Sequence, residues 1–178
     1  MKFKELNRTK HYEGHAFDVA KVHVRLPDGR ERDYDLVEHG DSVTVLPVDS
    51  ENRVYFVTQH RIGADGVLLE LPAGVLDPGE APLACARREL REEIGMAARE
   101  ITSMGGFYLA PGYTDEYMSV FLATGLYQAP LDADEDEFIE VTAIPVDKVY
   151  KMALDGDFQD GKTLATLLLA QPLLKNTD

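Results

Sequence analysis

Residues 74–96 have the sequence GVLDPGEAPLACARRELREEIGM, and the architecture of the chain follows from them. Their middle predicts an α-helix from about Ala81 to Ile94, because Pro82 suits a first helical turn and Gly95 is a natural stop after the last one. Four apolar residues at spacings of three and four predict a stripe that faces a core: Leu83, Ala86, Leu90 and Ile94. The helix is therefore expected to pack against the body of a domain.

The same helix carries three glutamates, Glu89, Glu92 and Glu93. Glu89 and Glu93 lie one turn apart on one face, and Glu92 sits beside them. Like charges at this spacing cost a helix roughly 0.2–0.5 kcal/mol per pair, and Arg88 and Arg91 offset only part of that cost. Clustered carboxylate oxygens are the ligands that Mg²⁺ or Mn²⁺ prefers. For the helix alone, a solvated charged face is the alternative interpretation.

The residues before the helix decide between these alternatives. Gly74 is separated from Glu80 by five residues and Glu80 from Arg88 by seven, after which the chain continues as RELREEIGM. This pattern resembles the Nudix box at all of its defining positions: Gly74, Glu80, Arg88, Glu89, Leu90, Glu92, Glu93, Gly95 and Met96. The resemblance implies a Nudix-type α/β/α sandwich with a mixed β-sheet, and the hydrolysis of a nucleoside diphosphate linked to another group.

The resemblance also implies roles for individual residues. Metal ligands are expected at the carboxylates of Glu89, Glu92 and Glu93 and at the backbone carbonyl of Ala73. Glu92 and Glu93 are expected to be catalytic, and Arg88 is expected to orient a catalytic glutamate, for which its i,i+4 spacing to Glu92 is suitable. Bound metal ions would neutralise a diphosphate and lower the pKa of a bound water, with Mg²⁺ the expected cofactor and Mn²⁺ the alternative.

Gly74 is expected to permit a tight turn of the backbone ahead of the helix.

Three segments outside the box resemble the ADP-ribose pyrophosphatase subfamily. They are the Q-x-R segment ending at Arg61, the E-x-P-A-G segment beginning at Glu70, and the stretch Ala110–Glu116, in which Pro111 lies 16 residues after Gly95. The resemblance implies hydrolysis of ADP-ribose to AMP and ribose 5-phosphate. It places Arg61, Glu70, Pro111 and Gly112 at the substrate, with Arg61 clamping phosphate oxygens through its guanidinium fork. Each segment also has an ordinary interpretation, since Pro-Gly pairs are common turns and a strand often ends in a charge.

An acidic stretch at residues 132–137 is the one oddity of composition. It would ordinarily be a solvated loop, but in the subfamily that it resembles a loop glutamate acts as general base. Glu135 is the expected base, and Glu137 is expected to assist on the water or metal side. Such a loop can deliver a carboxylate to the attacking water when it closes.

Two groups of alternative functions stay open. One is hydrolysis of another nucleoside diphosphate sugar or of a dinucleoside polyphosphate by the same site. The other is a non-catalytic sensor of ADP-ribose, which we expect to have lost carboxylates of the box; here every one of them is present.

The remaining pattern mixes strands with a few helices, which is typical of an α/β sandwich. A hairpin is predicted from Phe17 to Val37, and further strands follow at residues 42–48, 53–59, 68–71, 101–109, 117–123 and 138–145. Helices are predicted near residues 147–154 and 162–171, the second ended by Pro172. We therefore divide the chain into an N-terminal β region, residues 1–40, and a hydrolase domain, residues 41–178. The resemblance implies that the β region makes a homodimer.

Composition and charge bear on the class of ligand and on the location of the protein. The chain has 178 residues, 18 basic against 32 acidic, for a formal net charge of −14. This charge argues against a nucleic-acid surface, which needs basic patches. It is compatible with a phosphorylated small molecule if cations bridge the protein and the ligand, but on charge alone the favoured interpretation is that the excess acid keeps the protein soluble. No apolar run suits a membrane span or a secretory signal, so a cytoplasmic location is expected. Cys85 is the single cysteine and is expected to fill core space, and the five histidines show no metal-ligand spacing.

Overall fold

The structure, a computed structural model, describes residues 2–132 and 138–174. The strands are β1 (Lys4–Glu13), β2 (Asp18–Arg25), β3 (Glu31–Glu38), β4 (Ser42–Val48), β5 (Arg53–Arg61), β6 (Gly66–Glu70), β7 (Ala73–Val75), β8 (Met96–Tyr108), β9 (Tyr117–Gln128) and β10 (Glu140–Pro145). The α-helices are α1 (Pro82–Glu93), α2 (Val146–Asp155) and α3 (Gly161–Leu174), and a 3₁₀ turn covers Ile62–Ala64. No helix among these described residues is long and apolar enough to cross a membrane.

The large sheet is mixed, as the sequence predicts. Its strand order is β10-β5-β4-β9-β8, with β6 also paired to β5 and β7 to β4. β4 and β9 run parallel, from Ser42 opposite Met118 to Val48 opposite Thr124. The pairs that β4 makes with β5 and β7, and that β5 makes with β6 and β10, are antiparallel. β4 is buried along its whole length, because a central strand covered on both faces has no solvent side.

Helices cover both faces of this sheet. Val43 and Val45 of β4 belong to one hydrophobic cluster with Leu90 of α1. Leu46, which points to the other face, belongs to a second cluster that includes Val149 of α2 as well as residues of α3. The predicted α/β/α sandwich is therefore confirmed.

The chain divides into two compact units. The first comprises Met1–Asp41 and Tyr108–Tyr117, and its sheet has the strand order β1-β2-β3. The predicted hairpin is present as the antiparallel pair of β2 and β3, and β1 adds a third strand that the sequence pattern did not indicate. The second unit comprises Ser42–Phe107 and Met118–Asp178. The division at residue 40 assigned the 108–117 segment to the hydrolase domain, and as a statement about domains it stays a prediction.

The buried face of α1 differs from the predicted stripe. Leu83 is 41% exposed, so its place in the core was predicted wrongly. Cys85, Glu89 and Glu93 are buried instead, which rotates the buried face toward the glutamates. Two of the three carboxylates thus lie at the edge of the core, and the solvated-face alternative does not hold for them.

The end of α3 was also predicted wrongly, since the helix continues through Pro172 to Leu174. A proline in a helix removes the hydrogen bond to the carbonyl four residues earlier, here Leu168. The Leu168 side chain is 71% exposed, so water can reach that side of the helix. Burial of Leu174 in the core cluster offsets part of the cost of the proline.

Candidate active site

Arg88 organises the acidic face of α1. Its Nη1 donates to Glu89 Oε1 at 2.6 Å and to Glu92 Oε2 at 2.9 Å. Its Nε and Nη2 donate to the two carboxylate oxygens of Glu80 at 3.2 and 3.0 Å, and Nη2 also donates to the carbonyl oxygen of Val75 at 3.1 Å. These hydrogen bonds raise the pKa of Arg88 and lower that of Glu80. The Arg88 guanidinium therefore connects the loop before α1 to Glu89 and Glu92, two of the predicted metal ligands. Its contact with Glu92 is the one that the i,i+4 spacing predicted.

Glu89 lies against the backbone of Gly74. A Cβ atom at position 74 would lie 1.8 Å from Glu89 Oε1 and 2.1 Å from its Cδ. Gly74 is an extended residue of β7, paired with Val43, and is not one of the glycines with positive φ. The expected reason for this glycine, a tight turn, is thus wrong: the position lacks a side chain because the Glu89 carboxylate occupies that space.

Glu93 is held by a hydrogen bond from β7, the strand that carries Gly74, the first residue of the box. The backbone N–H of Ala73 donates to Glu93 Oε2 at 3.0 Å. Ala73 itself is fixed in register opposite Thr44 of β4. Glu89 is 7% and Glu93 5% exposed, and burying a carboxylate costs several kcal/mol, as a rough figure, unless a cation or hydrogen bonds compensate.

This donor set suits a hard divalent cation. The predicted ligands offer only oxygen atoms, from the carboxylates of Glu89, Glu92 and Glu93 and from the Ala73 carbonyl, which is the chemistry that Mg²⁺ and Mn²⁺ prefer. Among residues 2–132 and 138–174, no three acidic, histidine or cysteine side chains stand in a ready metal-binding arrangement. Arg88 engages Glu89 and Glu92, and the Ala73 N–H engages Glu93. The residues fit a metal, and their individual ligand roles stay predictions.

Arg61 and Glu70, both predicted at the substrate, form a bidentate ion pair. Arg61 Nε donates to Glu70 Oε1 at 2.8 Å and Nη2 donates to Oε2 at 2.7 Å. Glu70 is 1% exposed, whereas the Arg61 side chain is 42% exposed. The pairing with Glu70 raises the pKa of Arg61, and the negative charge of Glu93 adds to that effect. The guanidinium is therefore held by the Glu70 carboxylate, while the Arg61 side chain stays partly exposed to solvent.

Lys162, which the sequence analysis did not single out, completes this cluster. Its Nζ donates to Glu70 Oε2 and lies 3.1 Å from Asp160 Oδ2. Burial alone would raise the pKa of Glu70, but the hydrogen bonds and charges of Arg61 and Lys162 outweigh burial and lower it. Glu70 is thus an anion with two cationic partners.

The start of α3 is anchored beside the same cluster. Asp160 caps the helix, since its Oδ2 accepts from the Thr163 N–H at 3.0 Å and from the Thr163 hydroxyl at 2.6 Å. Thr163 Oγ1 in turn accepts from the backbone N–H of Leu71 at 2.9 Å. The Asp-x-x-Thr spacing signals a helix start, but nothing local in the sequence reveals its contact with residues 92 positions earlier.

Cys85 is fully buried on α1, and burial raises its pKa to about 12. Its Sγ lies 3.6 Å from the carbonyl oxygen of Val75. A protonated, buried thiol is neither a nucleophile nor a metal ligand, so Cys85 fills core space as expected.

The remaining predicted site residues lie in the other compact unit or outside the described residues. Pro111 and Gly112 belong to the first compact unit, in a turn closed by hydrogen bonds from the N–H groups of Tyr113 and Thr114 to the Ala110 carbonyl at 3.0 and 3.1 Å. Their contact with a substrate stays a prediction. Glu135 and Glu137 lie outside the described residues.

Comparison with known proteins agrees with this geometry. A sequence model of the NUDIX domain family matches residues 38–167. An ADP-ribose pyrophosphatase of Bacillus subtilis is 35% identical over 162 residues, which are 90% of this chain and 88% of that protein. A GDP-mannose pyrophosphatase of an Enterobacter species is 33% identical over 147 residues, 77% of this chain and 76% of its own. The crystal structure of an ADP compounds hydrolase superposes with a TM-score of 0.86 at 26% identity, covering 98% of this chain and 95% of the other.

Proposed function

The chain belongs to the NUDIX domain family and is a Nudix hydrolase, and we propose that it hydrolyses the diphosphate of ADP-ribose to AMP and ribose 5-phosphate, with Mg²⁺ as the metal. One observation carries the proposal: the partly exposed guanidinium of Arg61 is fixed by a bidentate ion pair with the buried Glu70, in the same compact unit as the box helix. Hydrolysis of a diphosphate needs cations that neutralise its charge, and this unit contains a fixed guanidinium as well as the carboxylates that we propose hold a metal.

The chain's own residues hold that geometry before substrate arrives. Glu70 orients Arg61 from a buried position, so the fork of Arg61 binds phosphate oxygens with little further loss of side-chain freedom. Arg88 aligns Glu89 and Glu92, and the Ala73 N–H aligns Glu93. When bound by these carboxylates and the Ala73 carbonyl, Mg²⁺ would neutralise the diphosphate and lower the pKa of a bound water.

For the proton transfer, we retain Glu135 as the proposed general base and Glu137 as its helper, and we retain Pro111 and Gly112 as proposed substrate-binding residues. The kinship to the B. subtilis ADP-ribose pyrophosphatase supports this assignment of substrate. The GDP-mannose pyrophosphatase relative favours a second candidate, the hydrolysis of another nucleoside diphosphate sugar by the same carboxylates.

We also propose a homodimer made through the β1-β2-β3 sheet. β1 is an edge strand of ten residues that is exposed along almost its whole length, and Phe3 and Tyr34 of this unit are 48% and 46% exposed. Light scattering of the purified protein tests the proposal: a mass of two chains is expected, and a Phe3→Glu, Tyr34→Glu variant should yield one.

The deciding experiment is chromatographic detection of AMP and ribose 5-phosphate released from ADP-ribose, with Mg²⁺ and after chelation. Glu93→Gln should abolish release, since it keeps the acceptor for the Ala73 N–H but removes the charge. Glu100→Gln, an exposed glutamate of β8, is the matched control and should retain activity. Cleavage of GDP-mannose without cleavage of ADP-ribose would replace the substrate and keep the mechanism, and binding of ADP-ribose without cleavage of any substrate would favour the sensor.

A further inference from the structure

Three arginines gather on a surface of the second unit that the proposed reaction does not use. Arg87 and Arg91 lie on α1 and Arg99 on β8. Arg87 and Arg99 line a hollow of about 450 Å³ together with Ala98 and Tyr127. An adjoining hollow of about 330 Å³ shares Arg87 and Tyr127 and adds Arg91. In a chain of formal charge −14, this is a local concentration of positive charge.

Two of these side chains are held in place by uncharged partners. The aliphatic stem of Arg99 crosses Gly125, where a Cβ would lie 3.1 Å from Arg99 Cβ and 3.3 Å from its Cγ and Cδ. Its guanidinium then lies over the Tyr127 ring, 5.6 Å from the ring centroid. Arg91 Nε donates to the carbonyl oxygen of Ala129 at 2.8 Å. Among the described residues, these two guanidiniums are thus positioned by an aromatic ring and a backbone carbonyl, with no carboxylate at salt-bridge distance.

This arrangement is unlike that of most arginines in the chain. With carboxylates of the described residues, six of the ten arginines make salt bridges: Arg8, Arg25, Arg30, Arg53, Arg61 and Arg88. Within residues 2–132 and 138–174, the other four have no carboxylate within salt-bridge distance, and three of those four are Arg87, Arg91 and Arg99. Arg87 shares one hollow with Arg99 and the adjoining hollow with Arg91. Like charges repel, so placing these cations side by side costs free energy that a bound anion recovers.

We propose that the larger hollow, lined by Arg87, Ala98, Arg99 and Tyr127, binds the phosphate group of a small molecule, a phosphate monoester or inorganic phosphate. Guanidinium forks bind phosphate oxygens bidentately. Arg87 and Arg99 line the larger hollow, and Arg91 lines the adjoining one. A volume of about 450 Å³ leaves room beside the phosphate for a sugar next to Tyr127, which is 47% exposed. The site is independent of which diphosphate the hydrolase cleaves.

The test is a titration of metal-free protein, followed through the arginine Nε–H signals and the backbone amides of Gly125 and Tyr127 by NMR. The probes are inorganic phosphate, ribose 5-phosphate and AMP, which separate a free ion, a sugar phosphate and a nucleotide. Saturable shifts of Arg87, Arg91 and Arg99 are expected, with an affinity that falls as salt is added.

The variants Arg87→Gln and Arg99→Gln should each weaken phosphate binding about tenfold, the size expected for one charge-assisted pair. Arg32→Gln is the matched control, because Arg32 is the fourth arginine without a carboxylate partner among the described residues, and it should bind as wild type does. Retained hydrolysis by all three variants shows that they are folded, and Arg99→Lys, which keeps the charge and loses the fork, should bind with intermediate affinity.

Three results would overturn the proposal. The first is the absence of saturable shifts at millimolar phosphate. The second is equal phosphate affinity in the wild type, Arg87→Gln and Arg99→Gln. The third is a response of these signals to a hexaglutamate peptide with none to phosphate, which would identify the surface as one for acidic polypeptides.

Discussion

The backbone of Gly74 and the carboxylate of Glu89 occupy adjoining space, so closely that a Cβ at position 74 would lie 1.8 Å from Glu89 Oε1. One of the predicted metal ligands is therefore positioned by the absence of a side chain on a neighbouring strand. Glu89 is 7% exposed and is held from the other side by Arg88, so the carboxylate has little room to retreat.

Gly74→Ala should for this reason displace Glu89 by the order of an ångström and lower turnover about 100-fold, the penalty typical of such a misplacement. Steady-state hydrolysis in the presence of Mg²⁺ measures it. Gly63→Ala is the control, because a Cβ there has no atom within 4 Å, and its turnover should equal that of wild type. Full activity of Gly74→Ala would show that the position of Glu89 is not critical.

Arg88→Lys should lower turnover and stability together. A lysine cannot contact Glu80, Glu89 and Glu92 at once, since it lacks the planar fork. Loss of the Arg88 hydrogen bond to the buried Glu89 should cost on the order of 1–3 kcal/mol of unfolding free energy. Urea unfolding and kinetics check both effects, with Arg87→Lys, one residue earlier and free of carboxylate partners among the described residues, as the control. Equal results for the two variants would remove Arg88 from its organising role.

Lys162→Met tests whether the start of α3 supports the substrate site. The buried carboxylate of Glu70 loses one of its two cations and keeps the other, so Arg61 remains charged but less firmly placed. We expect the KM for ADP-ribose to rise severalfold with a smaller change in kcat, and Lys162→Arg to restore part of the loss. The control is Lys151→Met, whose side chain is 74% exposed. A fall in kcat alone would contradict a positioning role.

The same variant should alter acid stability. The pKa of Glu70 lies below its ordinary value of 4.5 in the folded protein, so its pairing stabilises the fold above that pH and the stabilisation is lost as the pH falls through the lowered pKa. Removing Lys162 raises the folded pKa toward the ordinary value and moves acid unfolding to higher pH. Circular dichroism across pH 2 to 6, a window of about four units around the reference pKa, follows the transition. An unchanged midpoint would show that Lys162 does not influence Glu70.

The sequence predicted those parts of the fold and site that local patterns encode. The helix carrying Glu89, Glu92 and Glu93 has a period and stop signals of its own, and the strands that pair as β2 and β3 alternate around a turn. β1 escaped prediction because most of its residues are exposed on both faces, so no alternation marks it.

The rest depends on contacts between distant residues. Lys162 donates a hydrogen bond to Glu70, which lies 92 positions earlier in the chain, and no sequence spacing predicts such a pair. The sequence predicted that position 74 needs a glycine, but for the wrong reason. The space that a side chain at position 74 would need is occupied by the carboxylate of Glu89, a residue on the next helix. The exposure of Leu83 likewise follows from how α1 is rotated on the sheet, which its own periodicity does not determine.

Cys85 should resist alkylation in the folded protein. Its pKa, raised to about 12 by burial, leaves almost no thiolate at pH 8, and its side chain is fully buried. Iodoacetamide at pH 8, followed by mass spectrometry, should leave the native chain unmodified over hours and label it within minutes in guanidinium chloride. Rapid labelling of native protein would show that α1 opens readily from the sheet.

Mg²⁺ should stabilise the fold through the buried carboxylates, independently of any turnover. A ligand that binds only the native state at ten times its Kd adds about 1.4 kcal/mol to the unfolding free energy, which for a domain of this size raises Tm by about 3–6 °C. The carboxylates of Glu89 and Glu93 are 7% and 5% exposed, so neutralising them with a cation should give much of that gain. Calorimetry with Mg²⁺ and after chelation measures the shift in the wild type, Glu93→Gln and the exposed control Glu100→Gln.

The shift should vanish in Glu93→Gln, where the charge is lost but the acceptor for the Ala73 N–H is retained, and persist in Glu100→Gln. If Glu93→Gln kept the full shift, Mg²⁺ would bind elsewhere on this acidic chain, and the role of the box helix as the metal site would have to be abandoned.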